Sequence, residues 1–369
     1  MFSFQNIYQN YLQCRKNKRN TINQLEFEAY LLDNLWELER DLASKSYKIG
    51  RSLCFLTSSP KLREIFAAEF RDRIVHHILV RKLEPFYEKR FISDVYNNRK
   101  NRGIHLATKK AQSYMNATGK GYYLQLDIKG FFYNLDKNIL FMKIFNDIDR
   151  LEPTIPNKKE ILWLSNKIIY HDPTRNYVFK GDQSKLALLP EHKTLFKIPK
   201  SKGLPIGNLT SQFFANVYMN DFDNFIKRKL KVKHYLRYVD DFVLFDTSKE
   251  RLNHLYKEIE FYLWYELGLK LRADTKLRKH SDGLDFLGYI IRENYMLTRK
   301  RVVHNYRYKK AKYLDKYEAQ KGKMSLEEIK EFLSLQASFV SHIKHSNSFN
   351  LMKKTGVLDE NNPFDYDRA

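Results

Sequence analysis

The 369-residue sequence is short of cysteine, of long apolar runs and of acidic residues, and each shortage narrows what the chain can be. Its two cysteines, Cys14 and Cys54, belong to no Cys-x-x-Cys pair. That argues against a structural zinc site and for a reducing, cytoplasmic compartment. No stretch approaches the roughly 18 consecutive apolar residues of a membrane-spanning helix. The opening residues, Met-Phe-Ser-Phe-Gln-Asn, lack the charged-then-apolar plan of a signal peptide. A membrane partner is therefore not expected. Acids number 43 against 66 lysines and arginines, a formal net charge of +23. An excess of that size asks for a polyanionic partner, most simply nucleic acid. Internal repeats, low-complexity segments and an endonuclease signature are also missing. Aromatic residues are plentiful, with 25 Tyr and 26 Phe. A chain of this length and composition folds, with room for two or three subdomains.

The most informative stretch is 235–245, Tyr-Leu-Arg-Tyr-Val-Asp-Asp-Phe-Val-Leu-Phe. It reads as strand, tight turn, strand, with Asp240 and Asp241 at the tip. Paired acids between apolar strands are costly to desolvate without a partner, and a divalent cation is a natural one. An ordinary polar turn is the alternative, because Asp is common in turns. Upstream, residues 121–127, Gly-Tyr-Tyr-Leu-Gln-Leu-Asp, form a second strand that ends in an acid, Asp127. One acid closing a strand and two on a hairpin suit two-metal phosphoryl transfer. Mg²⁺ takes oxygen ligands and keeps substrate phosphates in its shell, and two such ions clamp the attacking and leaving oxygens.

These boxes occur in an order that resembles the reverse transcriptases of bacteria. The order is 127–132 (Asp-Ile-Lys-Gly-Phe-Phe), 203–212 (Gly-Leu-Pro-Ile-Gly-Asn-Leu-Thr-Ser-Gln), 238–241 (Tyr-Val-Asp-Asp) and 285–289 (Asp-Phe-Leu-Gly-Tyr). The last is similar to the family's primer-grip segment. The resemblance implies an α+β right-hand polymerase fold. Fingers, with an N-terminal helical extension, would cover residues 1–120. A palm with a small antiparallel sheet would cover 121–294, including a polar insertion at 171–200. A basic helical thumb would cover 295–369, leaving little room for an RNase H domain. It also implies RNA-directed DNA synthesis with two Mg²⁺ ions, Mn²⁺ being a substitute. Asp127, Asp240 and the Ile128 carbonyl would be ligands, and Asp241 a lesser one. The partners are an RNA template, a DNA primer or product and dNTPs. A structured non-coding RNA or accessory protein and a homo-oligomer complete the expectation.

Other residues are carried over by position. Phe132, five residues after Asp127, falls where the family has its steric gate. A ring there collides with a ribose 2′-OH, the group that marks RNA precursors; a core role beside Phe131 and Tyr133 is the alternative. Lys61 and Arg63 are expected to meet the incoming triphosphate, Arg as a bidentate donor and Lys as a point charge; an exposed basic loop is the other reading. Lys276 is a weaker choice as proton donor to pyrophosphate, in competition with Lys270 or with no role at all. Gly207 would allow close backbone approach to the nucleotide. Ile206 stands where many relatives carry Gln, which predicts relaxed base discrimination. With Gln212 in place of Pro, the box resembles the diversity-generating retroelement branch. The insertion at 171–200 departs from that branch and fits an antiphage-defence enzyme as well. The run 299–314 has seven cations, Arg299, Lys300, Arg301, Arg307, Lys309, Lys310 and Lys312, and no acid. With Tyr306, Tyr308 and Tyr313 interleaved, it suits phosphate neutralisation and base stacking on the template–primer duplex; a solvated helix face is the alternative.

Periodicity predicts one helix over about 25–39 and an extended pair within 44–56. A lead-in from Pro60 then opens a helix through 73–85. Further helices are expected at 105–115, 136–145, 158–170, 211–230 and 250–266. Strands are expected at 270–272 and 285–292. Asp136 is expected to cap a helix, and Ser325 to open a capping box with Glu328. His76 and His77 are expected as helix surface and core rather than a metal site; His342 and His345 lack a Cys or acidic partner for zinc, and RNA contact or packing is expected of them. A non-catalytic RNA-binding protein on a polymerase scaffold is the second functional reading, and the intact aspartate set counts against it.

Overall fold

A computed structural model describes residues 1–16, 21–58, 61–150 and 156–357. Pro60, which opens the expected lead-in, and positions 358–369 of the expected thumb lie outside the described residues. The N-terminal part is helical: α1 (Phe4–Arg15), α2 (Ile22–Ala29) and α3 (Leu31–Ala43). The single helix expected over 25–39 breaks at Tyr30, whose φ of −126° and ψ of 45° are not helical. Asn34 stabilises the break, because its side-chain amide donates to the Phe27 carbonyl freed there, at 2.9 Å.

The expected extended pair lies further along the chain, as β1 (Ser52–Thr57) and β2 (Arg63–Ala67), antiparallel with Cys54 opposite Phe66. The lead-in to the expected helix is itself a strand, and the helix follows it directly. Glu64 and Phe66 alternate inward with period two, which a helix does not satisfy. Then come α4 (Phe70–Glu88), α5 (Ile104–Thr118), β3 (Tyr122–Asp127), α6 (Phe131–Asn134), α7 (Lys137–Asp149) and α8 (Lys158–Ile169). Asp136 caps α7 as expected, accepting from the Asn138 and Ile139 amides. Residues 171–200 send β4 (Tyr177–Lys180) to pair in parallel with β1. The insertion, expected in the palm from its place in the chain, therefore completes the β2-β1-β4 sheet. Buried Glu64 ties it down, accepting from Thr194 Oγ1 at 2.5 Å and from the Leu195 amide at 2.9 Å.

Helix α9 (Leu209–Asn224) is buried on most sides. It leads to β5 (Tyr235–Tyr238), β6 (Asp241–Asp246), α10 (Lys249–Leu267) and β7 (Lys276–Lys279). The central antiparallel sheet has the order β5-β6-β3-β7. Its fourth strand is 276–279, not the expected 270–272. The earlier segment instead folds over the end of β3: the Arg272 amide donates to the Asp127 carbonyl at 2.9 Å and the Lys129 amide to the Lys270 carbonyl at 2.8 Å. The strand expected over 285–292 is a hairpin, β8 (Leu284–Phe286) and β9 (Tyr289–Ile291), joined by β10 (Met296–Thr298). Leu287 and Gly288 both have positive φ, the two-residue turn that reverses a twisted strand. Among the described residues three helices follow: α11 (Lys300–Ala319), α12 (Leu326–Ile343) and α13 (Phe349–Lys354). The Ser325–Glu328 capping box forms at the start of α12.

One large apolar core joins α1, α3, α4, α7, α8, α9 and α10 to one face of the central sheet. A second fills the space between its other face, α5 and the β8-β9 hairpin. The sheet is therefore clamped on both faces, and only its ends are free to carry polar chemistry.

Candidate active site

Asp127 ends β3 and Asp241 begins β6, and the register sets them opposite one another. Asp240 precedes Asp241 in the turn, and its carbonyl accepts from the Ile128 amide at 3.3 Å. Three acids distant in sequence thus meet at one end of the sheet, with the Ile128 backbone between them. Crowding and burial show in their acidity. Burial first, then the neighbouring Asp127, pushes Asp240 up to about 6. Asp241 is pushed up to about 7 by burial and by both other acids, although Gln125 Nε2 donates to it at 3.2 Å. Asp127 is raised by burial, against the pull of Arg272, Lys61 and Lys193. Folding leaves these carboxylates short of positive charge.

Several separate cations surround the acids. Lys61 and Arg63 enter from the β1–β2 hairpin, exposed, and both charges act on Asp240. Lys276 acts on Asp241 from β7. Lys270 is exposed, and its contact here is through its carbonyl. Two further cations have no signal in the sequence motifs. Arg272 is 3.7 Å from Asp127 and is held by a forked contact to Asp274 at 2.8 and 3.0 Å. The charge of Lys193, in the insertion, acts on Asp127 from a distance. Arg272 lies between Lys270 and Lys276 in the chain, whereas nothing in sequence joins Lys193 to β3.

Phe132 is half-buried against Phe131, and its carbonyl accepts from the Leu204 amide at 2.8 Å. This docks the 203–212 segment beside the acids. Ile206 accepts through its carbonyl from the Phe66 amide at 2.9 Å, and Asn208 Oδ1 from the Ala68 amide at 3.0 Å. Gly207 has φ +124°, and a Cβ there would lie 2.8 Å from Ile65 Cγ2 and 3.0 Å from the Phe66 carbonyl oxygen. The close approach that requires glycine is thus to β2. Gln212 is exposed in the first turn of α9.

In α11 the expected contacts divide. Lys300, Arg301, Arg307, Lys309 and Lys312 are exposed. Arg299 pairs with Asp285, and Lys310 Nζ donates to the Thr355 carbonyl at 3.0 Å, so these two are engaged within the protein. Tyr306 is buried and stacked on Phe339, and Tyr313 is turned to Glu331 and Phe332. Of the three tyrosines, Tyr308 keeps an exposed ring, with Lys312 over it. His342 and His345 pack as expected: the first stacks on Tyr289 and the second on His105. His76 is buried and His77 half-buried.

Residues 57–291 match the family model of the reverse transcriptase (RNA-dependent DNA polymerase). The chain belongs to the reverse transcriptase family. Its α+β right-hand polymerase fold is the one the sequence motifs imply. Protein YkfC of Escherichia coli K12 is 24% identical over 330 residues, 79% of this chain and 80% of that protein. The group II intron-encoded protein LtrA of Lactococcus lactis subsp. cremoris is 23% identical over 307 residues, 66% of this chain and 47% of LtrA. Among solved structures, a telomerase from Candida albicans in complex with a fragment of telomeric RNA matches at a TM-score of 0.47 and 12% identity, over 89% of this chain and 59% of that one. This chain thus spans about half of LtrA and three fifths of the telomerase.

Reverse transcriptase domains use divalent cations, and the donor set can be tested for that use. Among the described residues no three His, Cys, Asp or Glu side chains form a ready-made cage. The acids nevertheless fit Mg²⁺, which binds through one or two carboxylates and completes its shell with water and substrate phosphates. A divalent cation is the kind of compact positive charge that three crowded, buried carboxylates favour. Among the described residues no helix is long and apolar enough to cross a membrane.

Proposed function

We propose that this reverse transcriptase copies an RNA template into DNA by two-metal nucleotidyl transfer. The observation that carries this reading is the meeting of Asp127, Asp240 and Asp241 at one end of the central sheet. Asp127 and Asp240, with the Ile128 carbonyl and a lesser contribution from Asp241, would hold two Mg²⁺ or Mn²⁺ ions. When bound, the ions lower the pKa of the primer 3′-OH and neutralise the charge that builds on the phosphates. Lys61, Arg63, Lys193 and Arg272 gather the triphosphate of a dNTP and aim its α-phosphate at the primer oxygen. As the new P–O bond forms, the primer 3′-OH gives its proton to solvent, the bond to pyrophosphate breaks, and Lys276 donates a proton to the leaving group. Phe132 stands where a 2′-OH would fall. Ile206, Gly207 and Gln212 lie under the new base pair, and the exposed cations of α11 follow the duplex.

In this reading residues 1–120 are fingers, 121–294 palm and 295–369 thumb, with β4 of the insertion serving the fingers sheet. The setting is a diversity-generating retroelement or an antiphage-defence system in the cytoplasm, with a structured non-coding RNA or an accessory protein. Neighbouring genes separate the two settings, and the mass in solution reads out a homo-oligomer.

The test is primer extension on poly(rA)–oligo(dT) with Mg²⁺. The wild-type protein extends the primer, and Asp240→Asn lowers kcat by roughly 10³-fold while RNA binding is kept. If the wild type makes no product with any template or divalent metal yet binds RNA tightly, a non-catalytic RNA-binding role replaces this one.

A further inference from the structure

The turn that carries Asp240 is held in an unfavourable shape by a buried polar network. Val239 has φ +60°. A β-branched residue in that region is strained, because its Cβ substituents crowd the backbone. Strain there persists only where the surroundings over-determine it, and both peptide groups of Val239 are clamped. Its amide donates to Asn97 Oδ1 at 2.9 Å, and its carbonyl accepts from Arg237 Nη1 at 2.9 Å.

Each clamp is itself fixed. Asn97 Nδ2 donates to Asn216 Oδ1 at 2.8 Å, and Asn216 Nδ2 returns a bond to the Asn97 carbonyl at 2.9 Å. Arg237 grips Asp223 through Nε at 2.8 Å and Nη2 at 2.6 Å, and the Tyr235 hydroxyl adds a third bond to Asp223 at 2.6 Å. Asn97 and Asn216 are 1% exposed, Asp223 and Arg237 not at all. The loop bearing Asn97 is stitched to β5 by bonds from the Arg237 amide to the Asp94 carbonyl and from the Tyr96 amide to the Arg237 carbonyl. Buried ion pairs are poor sources of stability against apolar residues of the same volume, so fold stability alone gives this set little reason to exist. A fully satisfied network does, however, specify one geometry, and the peptide it specifies is joined to Asp240.

We propose that Asn97, Asn216, Asp223 and Arg237 are positioning residues that hold Val239 in its left-handed conformation and so set the direction of the Asp240 carboxylate. This rests on the polymerase reading. The same amide and guanidinium also hold the turn when substrate arrives, so the aspartate does not have to be reoriented on each cycle.

The test is a double-mutant cycle in steady-state primer extension on poly(rA)–oligo(dT) with Mg²⁺, using the full chain. Asn97→Ala lowers kcat by about 10- to 100-fold, with the KM for dTTP and the Kd for template–primer within about threefold of wild type. Glycine adopts φ +60° without strain, so the turn no longer depends on the clamp in Val239→Gly, and Asn97→Ala then costs less than about threefold in that background. Asp223→Asn, which keeps the volume and weakens the grip on Arg237, shows the same loss and the same suppression if Asn97→Ala does not fold. Equal costs in the two backgrounds, or an unchanged kcat for both network variants, would overturn the proposal. If the wild type itself makes no product, the polymerase reading fails and the proposal falls with it.

Discussion

Asp240 and Asp241 titrate far above an ordinary aspartate because burial and their neighbours both disfavour charge. The consequence for stability has a definite sign. A carboxyl whose folded pKa is raised stabilises the fold below its ordinary value of 3.8, and that contribution is lost as pH rises through about 6 and about 7. Metal-free protein is therefore expected to melt several degrees lower at about pH 8 than at about pH 5. Mg²⁺ binds the deprotonated acids, so it should raise the melting temperature more at the higher pH. Thermal melts with EDTA and with Mg²⁺ at both pH values check this, and a metal-free protein more stable at pH 8 would contradict it. Phe132 allows a second prediction at this scale. Truncation in Phe132→Ala is expected to reduce discrimination against ribonucleotides by roughly 10²-fold, read from the ratio of kcat/KM for dTTP and UTP. An unchanged ratio would return Phe132 to the core role that its contact with Phe131 also permits.

Elements meet at this site through backbone contacts as much as through side chains. The 206–208 segment bonds along β2, and Gly207 is the point of closest approach. Gly207→Ala is expected to cost about 1–3 kcal/mol, since the new Cβ meets backbone and the positive φ is strained for alanine. A melt should report the loss, and a melting temperature equal to wild type would show that the segment can back away from β2. Local chemistry makes some of these elements readable. The Asp136 cap and the Ser325–Glu328 box depend on neighbours two or three residues away, and both form as expected. The fourth strand departs from expectation because the backbone bonds of the 270–272 segment go to Asp127 and Lys129, far away in sequence, and leave it a bridge at Leu271 rather than a strand. The pairing of β4 with β1 is equally unreadable, because parallel pairing has no turn to announce it.

For the whole molecule the net charge of +23 governs nucleic-acid affinity. Binding of a template–primer should weaken steeply with salt, and replacing Lys309 and Lys312 by Gln should lower the slope of log K against log salt by about 0.9 for each phosphate no longer neutralised. Lys310→Gln makes the contrast: its ammonium is spent on the Thr355 carbonyl, so that variant should shift the melting temperature and leave the slope alone. Fluorescence anisotropy over a salt series distinguishes the two. Equal slopes for all three variants would remove α11 from the duplex path.

The linear chain was enough to identify the family and to single out three candidate aspartates and a polyanionic class of partner, because each depends on residue type, short spacing or a sum of charges. Which cations stand over the acids, which glycine touches which strand, and how Val239 is kept in a shape it does not favour were decided by tertiary structure alone. Arg272, Lys193, Asn97 and Asp223 act through partners that no local pattern connects to them, and only the packing of the sheet between its two cores brings those partners within hydrogen-bonding or Coulombic reach.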